Sequence, residues 1–508
     1  MMRTPTLLLL LCSAVPVLSQ PGTLDATFGN GGIVQMDLMP AGDAGFDVLP
    51  MADGRLYICG YLDDGPRDNG YVLRLMPDGT PDPDFGTMLL PSATNARATR
   101  MAYAPDSSLY FCGYADTLGY ETFALWHVLT NGLIDADFGF GGRSSVQIGF
   151  SDARARDLAV QADGKVVLVG YESAGFGRDG VIVRLLPDGT PDPDFSGDGI
   201  LVLSSFDDLD QLDAVTLLDD GSIVAGGYAE IEDDDRALLV KLAPAGNLDG
   251  SFDGDGMLTP LLSANSRIYA VASDGLEIVA AGPLILSSTS ADLYITRRQA
   301  NGAIDTDFGS FGVAEIDVTD DDWMDDMKIL PDGRIALTGY TGSTAPGGDI
   351  DFLLACYEAN GQPDTGFGNN GMVITETSPS YEGGYSVCVQ PDGKLVVAGF
   401  GGQIGNSSMV VLRYANDLGT GLGSAPYNAE LTAFPNPAHT HCRLRTNKPL
   451  GVLDHIELLD LHGRVVRAWS GTGMAELVID RGDLPTGIYT LRLQCSEEPA
   501  TSIRLVFQ

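Results

Sequence analysis

An element of the form L-D-x-x-F-G-x-x-G returns seven times along the chain, as LDATFGNGG, PDPDFGTML, IDADFGFGG, PDPDFSGDG, LDGSFDGDG, IDTDFGSFG and PDTGFGNNG. Its phenylalanines are Phe28, Phe85, Phe138, Phe195, Phe252, Phe308 and Phe367, so the spacing stays close to 57 residues. A fixed period of this length means one supersecondary unit packed against copies of itself. A second marker occurs once per unit, usually an Asp-Gly turn, then an apolar run ending in Gly-aromatic, as in DGRLYICGY, DGKVVLVGY and DGKLVVAGF. Each unit adds a run after the Phe-Gly turn (GILVLSS), another before the Asp-Gly turn (YSVCVQ) and a fourth near its end (VIVRLLPDG).

Short runs rich in Val, Ile, Leu, Tyr and Phe, bounded by Asp-Gly or Asn-Gly, are strands joined by tight hairpins. Four strands in each of seven units, with no long helical period, predict an all-β fold: a seven-bladed β-propeller of about 57-residue repeats. The seventh unit ends at Asp417 without its own Phe-Gly turn, whereas an unattached copy sits at Leu24–Gly29. The N-terminal segment is therefore expected to complete the last blade. An open β-solenoid is the competing geometry and would leave apolar end units exposed.

This portion resembles the delta-60 repeat family of secreted bacterial proteins, most closely in VQPDGKLVVAG (Val389–Gly399) and VIVRLLPDGT (Val181–Thr190). The resemblance covers roughly Leu24 to Asp417, with departures at Asp106-Ser107 and at Ala245-Gly246. It implies a propeller-like surface protein and transfers no catalytic residue.

After the small-residue linker NDLGTGLGSAPYN the period stops. Alternating apolar positions such as Ile456, Leu458 and Leu493, with turns at His462-Gly463 and Thr486-Gly487, predict a small Ig-like antiparallel β-sandwich. Pro435-Asn436-Pro437, Leu461-His462-Gly463-Arg464 and Leu484-Pro485-Thr486-Gly487-Ile488-Tyr489 resemble, in order, the C-terminal sorting domain of the type IX secretion system of the Bacteroidetes group. The resemblance implies recognition by the outer-membrane export machinery and removal afterwards. An accessory carbohydrate-binding or adhesive sandwich is the plainer alternative.

The N-terminus, MMRTPTLLLLLCSAVPVLSQ, has a basic Arg3, a short apolar run and small residues at a cleavage site, the pattern of a secretory signal. Leu11 ahead of Cys12 speaks against lipidation there. The expected organisation is a signal peptide at 1–19, a propeller at 24–417, a linker at 418–426 and a sorting domain at 427–508. No later segment is apolar for the 18 residues that a membrane span needs. Of the remaining cysteines, Cys59, Cys112, Cys356, Cys388, Cys442 and Cys495, none has metal-ligand spacing. Cys442 and Cys495 are the pair most plausibly joined within one domain.

The net charge of −40 excludes a nucleic-acid partner, which needs clustered Lys and Arg. The plain reading of this charge is a solvated, self-repelling surface; the sharper one is attraction of divalent cations. In LPDGTPDPDFSGDG the recurring aspartates are first explained by turns, since Asp accepts local backbone hydrogen bonds and Gly takes positive φ. Only the turns with Asp194 and Asp198, and with Asp253 and Asp255, keep a claim on calcium.

Four of the five histidines, His439, His441, His455 and His462, lie in the C-terminal domain, so the repeats hold only His127, expected to face a neighbouring blade. Any Ser-His-Asp triad would have to be built around it. VTDDDWMDDMK is expected to be a surface loop, the alternative being a sugar-stacking Trp323 beside carboxylates. Asp47, Asp157 and Asp326 lie six residues before the Asp of the Asp-Gly turn, and Asp213 joins them if one residue is inserted. Repetition would place these on a common ring, pinning blades or lining a funnel that attracts cations. No catalytic, cofactor-binding or metal residue is assigned. The expectation is a secreted or cell-surface, non-enzymatic binding propeller with an unidentified glycan or protein ligand; the alternative is an extracellular polysaccharide hydrolase or lyase.

Overall fold

A computed structural model describes residues 20–416, apart from short loop segments of which 204–209 and 345–347 are the longest, and the strands between Leu431 and Phe507. Residues 1–19 and 418–426, the expected signal peptide and linker, lie outside the described residues. The chain divides into two units, Met1–Leu418 and Gly419–Gln508. Every regular element described is a β-strand. Among the described residues no helix is long and apolar enough to cross a membrane.

In the first unit four antiparallel sheets have four strands each, one has five, and two further antiparallel groups of four are joined through a parallel bridge between Ile350 and Tyr381 into an eight-stranded sheet. In the third sheet Ala153–Val160, Val166–Ala174, Gly177–Leu185 and Ile200–Leu203 pair in that order. Its second strand begins VVLV with no polar alternation, because both faces are covered. Val166 and Leu168 pack with Phe123 and Leu125 of the preceding sheet, whereas Val167 and Val169 pack with Leu238 and Val240 of the following one. Each such side chain contributes about 1.5–3 kcal/mol by leaving water, so the stack of sheets is one continuous core.

The innermost strands, Asp43–Pro50, Ala96–Tyr103, Ala153–Val160, Asp210–Leu217, Ala270–Ser273, Asp321–Ile329 and Tyr381–Val389, touch in sequence, and the last returns to the first. VTDDDWMDDMK is therefore not a surface loop. It supplies one of these strands, and the places of its Asp322, Asp325 and Asp326 are described below.

The Phe-Gly turns join neighbouring units. Phe138 is buried, and an added Cβ at Gly189 of the next turn would meet its ring at 2.8 Å. Gly189 also has φ +86, so glycine is required there twice over. In four of these turns the aspartate holds an arginine that lies over the same ring, as where Arg184 Nε donates to Asp192 Oδ2 at 2.8 Å and its guanidinium stands 4.8 Å from the Phe195 centroid.

Closure uses the same device. Ile33–Met36 pairs antiparallel with Asn406–Tyr414, Leu24 bridges Tyr414, and Arg413 donates to Asp25 at 2.9 Å while lying 4.4 Å over Phe28. Burial alone would push the Asp25 carboxyl up, but bonds from Thr27 and Lys394 and the charge of Arg413 hold it at about 2.

The second unit has a three-stranded sheet, Leu431–Phe434, His441–Thr446 and Glu476–Asp480, and a four-stranded sheet ordered Val465–Ser470, His455–Leu459, Gly487–Cys495 and Glu498–Phe507. The side chains of Cys442 and Cys495 lie outside the described ones, as do Pro435–Pro437 and Leu461–Arg464. Cys59, Cys112, Cys356 and Cys388 are free, buried thiols; burial pushes Cys112 up to about 12, which makes it inert.

Candidate functional site

The glycine of each Gly-aromatic marker is fixed by close approach of backbone. A Cβ at Gly60, Gly113, Gly170, Gly227, Gly282, Gly339 or Gly399 would lie 1.8–2.0 Å from a carbonyl oxygen of the adjoining innermost strand. That strand bulges opposite the glycine. Register shifts fall between Gly45 and Asp47, Ala98 and Arg100, Ala155 and Asp157, Leu212 and Ala214, Met324 and Asp326, and Gly384 and Ser386. In the fifth sheet the pairing of the inner edge breaks between Ser266 and Ala270. A bulge leaves one residue unpaired and re-aims its side chain.

The residues left over are Phe46, Thr99, Arg156, Asp213, Tyr269, Asp325 and Tyr385. Together with Arg100 they line a cavity of about 100 Å³ at the axis. Each unit gives this crown one side chain. The Arg100 guanidinium closes its floor, donating to the carbonyls of Phe46 (2.8 Å), Tyr385 (3.3 Å) and Asp325 (3.1 Å).

Beyond Arg100 lies a wider cavity of about 450 Å³, with Asp47, Asp157, Asp326 and Lys328 in its wall. Three of the expected ring carboxylates are here, and the task of each is structural. Asp47 accepts Met101 N at 2.8 Å, Asp157 accepts Val215 N at 2.8 Å, and Asp326 accepts Val387 N at 3.0 Å. In each case the donor belongs to the next sheet, so the carboxylate pins neighbouring blades. Asp213 belongs to the other tier. It is the bulge residue itself, and Arg156 Nε (3.0 Å) and Gln211 Nε2 (2.6 Å) donate to its Oδ1. Its Oδ2 is buried with no hydrogen-bond partner among the described residues.

Electrostatics follow from crowding. Burial, reinforced by Asp326 and Asp213, pushes Asp325 up to about 7 against the opposing charges of Arg100 and Arg156. Burial likewise raises Asp157 to about 6. A carboxyl that holds its proton more tightly folded than unfolded contributes stability below about pH 4 that is lost as pH rises through its folded pKa. For these two groups the loss spans roughly pH 4 to 7. Asp325→Asn is accordingly expected to stabilise the fold at pH 8 by about 4 kcal/mol, at roughly 1.4 kcal/mol per pKa unit, and by much less at pH 4.5. Equal or lower stability of the variant at pH 8 would contradict this account.

His127 is part of a Ser-His-Asp arrangement: Nδ1 lies 2.8 Å from Asp135 Oδ2 and Nε2 lies 2.7 Å from Ser108 Oγ. Ser108 is 1% exposed, so no substrate reaches it. His127 stands where Arg74, Arg184, Lys241 and Arg413 stand in other units, each facing the turn aspartate. Its ring neighbours, Tyr110 and Phe138, pack in the core shared with the following sheet.

Turn chemistry accounts for LPDGTPDPDFSGDG. Asp188 accepts Thr190 N, Asp192 accepts Asp194 N and Asp198 accepts Ile200 N, at 2.9–3.0 Å, and Asp255 accepts Met257 N at 2.9 Å. Asp292, Asp317 and Asp322 also converge, but Asp322 accepts from Val318 N and Thr341 Oγ1, fastening the entry to its strand. Millimolar calcium at fixed ionic strength is thus expected to leave the melting temperature unchanged, and a saturable rise would return the Asp194–Asp198 or Asp253–Asp255 turns to cation binding.

Trp323 lies on the strand before the crown, stacked on Tyr340 at 6.4 Å and 5.6 Å from Tyr269. Sequence reasoning missed Phe46, Thr99, Arg156, Tyr269, Asp325 and Tyr385 as a set. In six units the bulge residue stands seven positions before the Asp of the turn, one column ahead of the aspartates singled out above. Only knowledge of the bulge gives that column meaning.

Comparison with known proteins agrees with this architecture. Residues 52–85, 161–195, 218–252, 330–367 and 390–418 match the model of the DUF5122 β-propeller, a domain of unknown function. Residues 432–508 match the secretion system C-terminal sorting domain. No curated protein matches the chain. Similar solved structures include a virginiamycin B lyase from Staphylococcus aureus (10% identity, TM-score 0.44, covering 75% of this chain and 98% of that one) and Sqt1 from Chaetomium thermophilum (11%, 0.43, 79% and 99%). Another is a Dyadobacter fermentans protein of unknown function (12%, 0.38, 76% and 99%). The chain thus joins DUF5122 β-propeller repeats of the delta-60 kind to a type IX C-terminal sorting domain that directs it to the cell surface or to secretion.

Proposed function

We propose that the exported propeller is a non-enzymatic binding protein whose ligand enters the axial crown. One observation carries this reading. The six bulges and the break in the fifth sheet place seven side chains at equivalent points, but these are three aromatics, a threonine, an arginine and two aspartates. Positions that serve the fold behave differently: the turn phenylalanine recurs in all seven units, because the same packing problem recurs. Divergent chemistry at equivalent places is what a single, asymmetric ligand requires of a symmetric scaffold.

A second reading, a polysaccharide hydrolase or lyase, is favoured by Asp325, whose position near pH 7 suits proton transfer. Both are tested by screening the purified protein and a Tyr269→Leu/Tyr385→Leu variant against soluble amines, sugars and oligosaccharides, following melting temperature and product formation together. Saturable stabilisation without products, lost in the variant, supports binding. Products released by the unaltered protein alone establish the enzyme, and stabilisation equal in both proteins removes the crown from either role.

A further inference from the structure

The crown itself sets Asp213 and Asp325 against Arg100 and Arg156, and the acidic bias that narrows its ligand comes from the wider cavity beyond Arg100. The two axial cavities together hold five carboxylates, Asp47, Asp157, Asp213, Asp325 and Asp326, against three cations, Arg100, Arg156 and Lys328. The three pinning aspartates accept backbone N–H groups of the next sheet, and Arg100 is tied to three carbonyls, so these groups are committed to the scaffold. What faces the crown without a full complement of partners is Asp213, only 6% exposed, with one oxygen satisfied and Oδ2 bare. A buried acceptor left without a donor costs about 1–3 kcal/mol, more when it is charged, and an incoming donor recovers that cost.

Aromatic rings line the same crown. Phe46 and Tyr385 meet edge to face at 5.0 Å, and Tyr269 lies across the crown. Ring faces attract cations, and carboxylates in excess repel a second anion. A volume near 100 Å³ is well below the roughly 300–1,000 Å³ of pockets that enclose a whole drug-sized ligand; it suits a small head group. Resting on the binding role proposed above, we infer that the crown receives a primary alkylammonium group, its N–H donors on Asp213 Oδ2 and the Asp325 carboxylate and its stem against Phe46, Tyr269 and Tyr385.

The test is calorimetric titration of the full-length protein at pH 8 and constant ionic strength with n-butylammonium, 1-butanol and butyrate, three probes of one shape and different charge. Butylammonium is expected to saturate one site, with the alcohol and the acid at least about tenfold weaker, and Asp213→Asn is expected to lose about tenfold in affinity for the amine alone. The asparagine keeps an acceptor for Arg156, and Asp325→Asn provides a second variant should the first melt early. If 1-butanol or butyrate binds as tightly as the amine, and Tyr385→Leu abolishes that binding, the ammonium assignment falls while the crown remains a ligand site. If no probe binds, or if all bind equally in the unaltered protein and every variant, the crown is not a site for small ligands and both readings fall.

Discussion

Deletion of Leu24–Met36 is expected to lower the melting temperature of the repeat unit by roughly 10 °C and to make it aggregate. The segment carries Phe28, fully buried, whose loss alone costs about 3–5 kcal/mol. It also carries Asp25, the partner of an Arg413 side chain that is 4% exposed, and a buried charge stripped of its partner costs a similar amount. Without Ile33–Met36 the strand Asn406–Tyr414 becomes a free sheet edge, the geometry that invites pairing between chains. Acid should act at the same joint: the depressed Asp25 contributes stability that is present above about pH 4 and lost as pH falls toward 2. Phe28→Ala is the milder version, with the same sign. A melting temperature indifferent to the deletion would show that the contacts of this strand are not what holds the circuit shut.

Deletion of Tyr427–Gln508 is expected to do the reverse, abolishing export while leaving the melting temperature of the repeats where it was. The sorting match covers 432–508, outside every repeat, and the repeats divide from that region at Leu418. The truncated chain should accumulate in the periplasm as folded protein resistant to protease. Normal appearance of the truncated protein in the medium would mean that the export signal lies elsewhere in the chain. Run side by side, the two deletions exchange phenotypes, and each serves as the other's control.

The parts of this fold that could be read in the sequence are those where one physical requirement recurs. Phe138 and Phe195 repeat because each fills the same buried place beside a glycine turn, and Asp188 and Asp192 repeat because each fastens the same turn. The unattached Leu24–Gly29 copy was legible for the same reason: a missing member of a repeated set marks its own place. The crown was not. A bulge advances the alternation of a strand by one residue, so that Asp213 and Asp157, grouped together when counted from the turn, point into different tiers. VTDDDWMDDMK misled for a different reason. Aspartate is disfavoured in strands, and nothing in its composition shows that Asp322 fastens a loop, Asp325 enters the crown and Asp326 pins the next blade.

The bond between Arg413 and Asp25 spans 388 residues of chain. Contacts of such separation form late, since the intervening loop must be closed before they give any return. During synthesis the first strand waits with its edge unpaired until its partner, one of the last elements of the repeat unit, has emerged. The sorting region follows that partner in the chain. A molecule able to display its export signal therefore already contains every strand needed to seal the circuit, and fragments cut short before closure carry no passport to the surface.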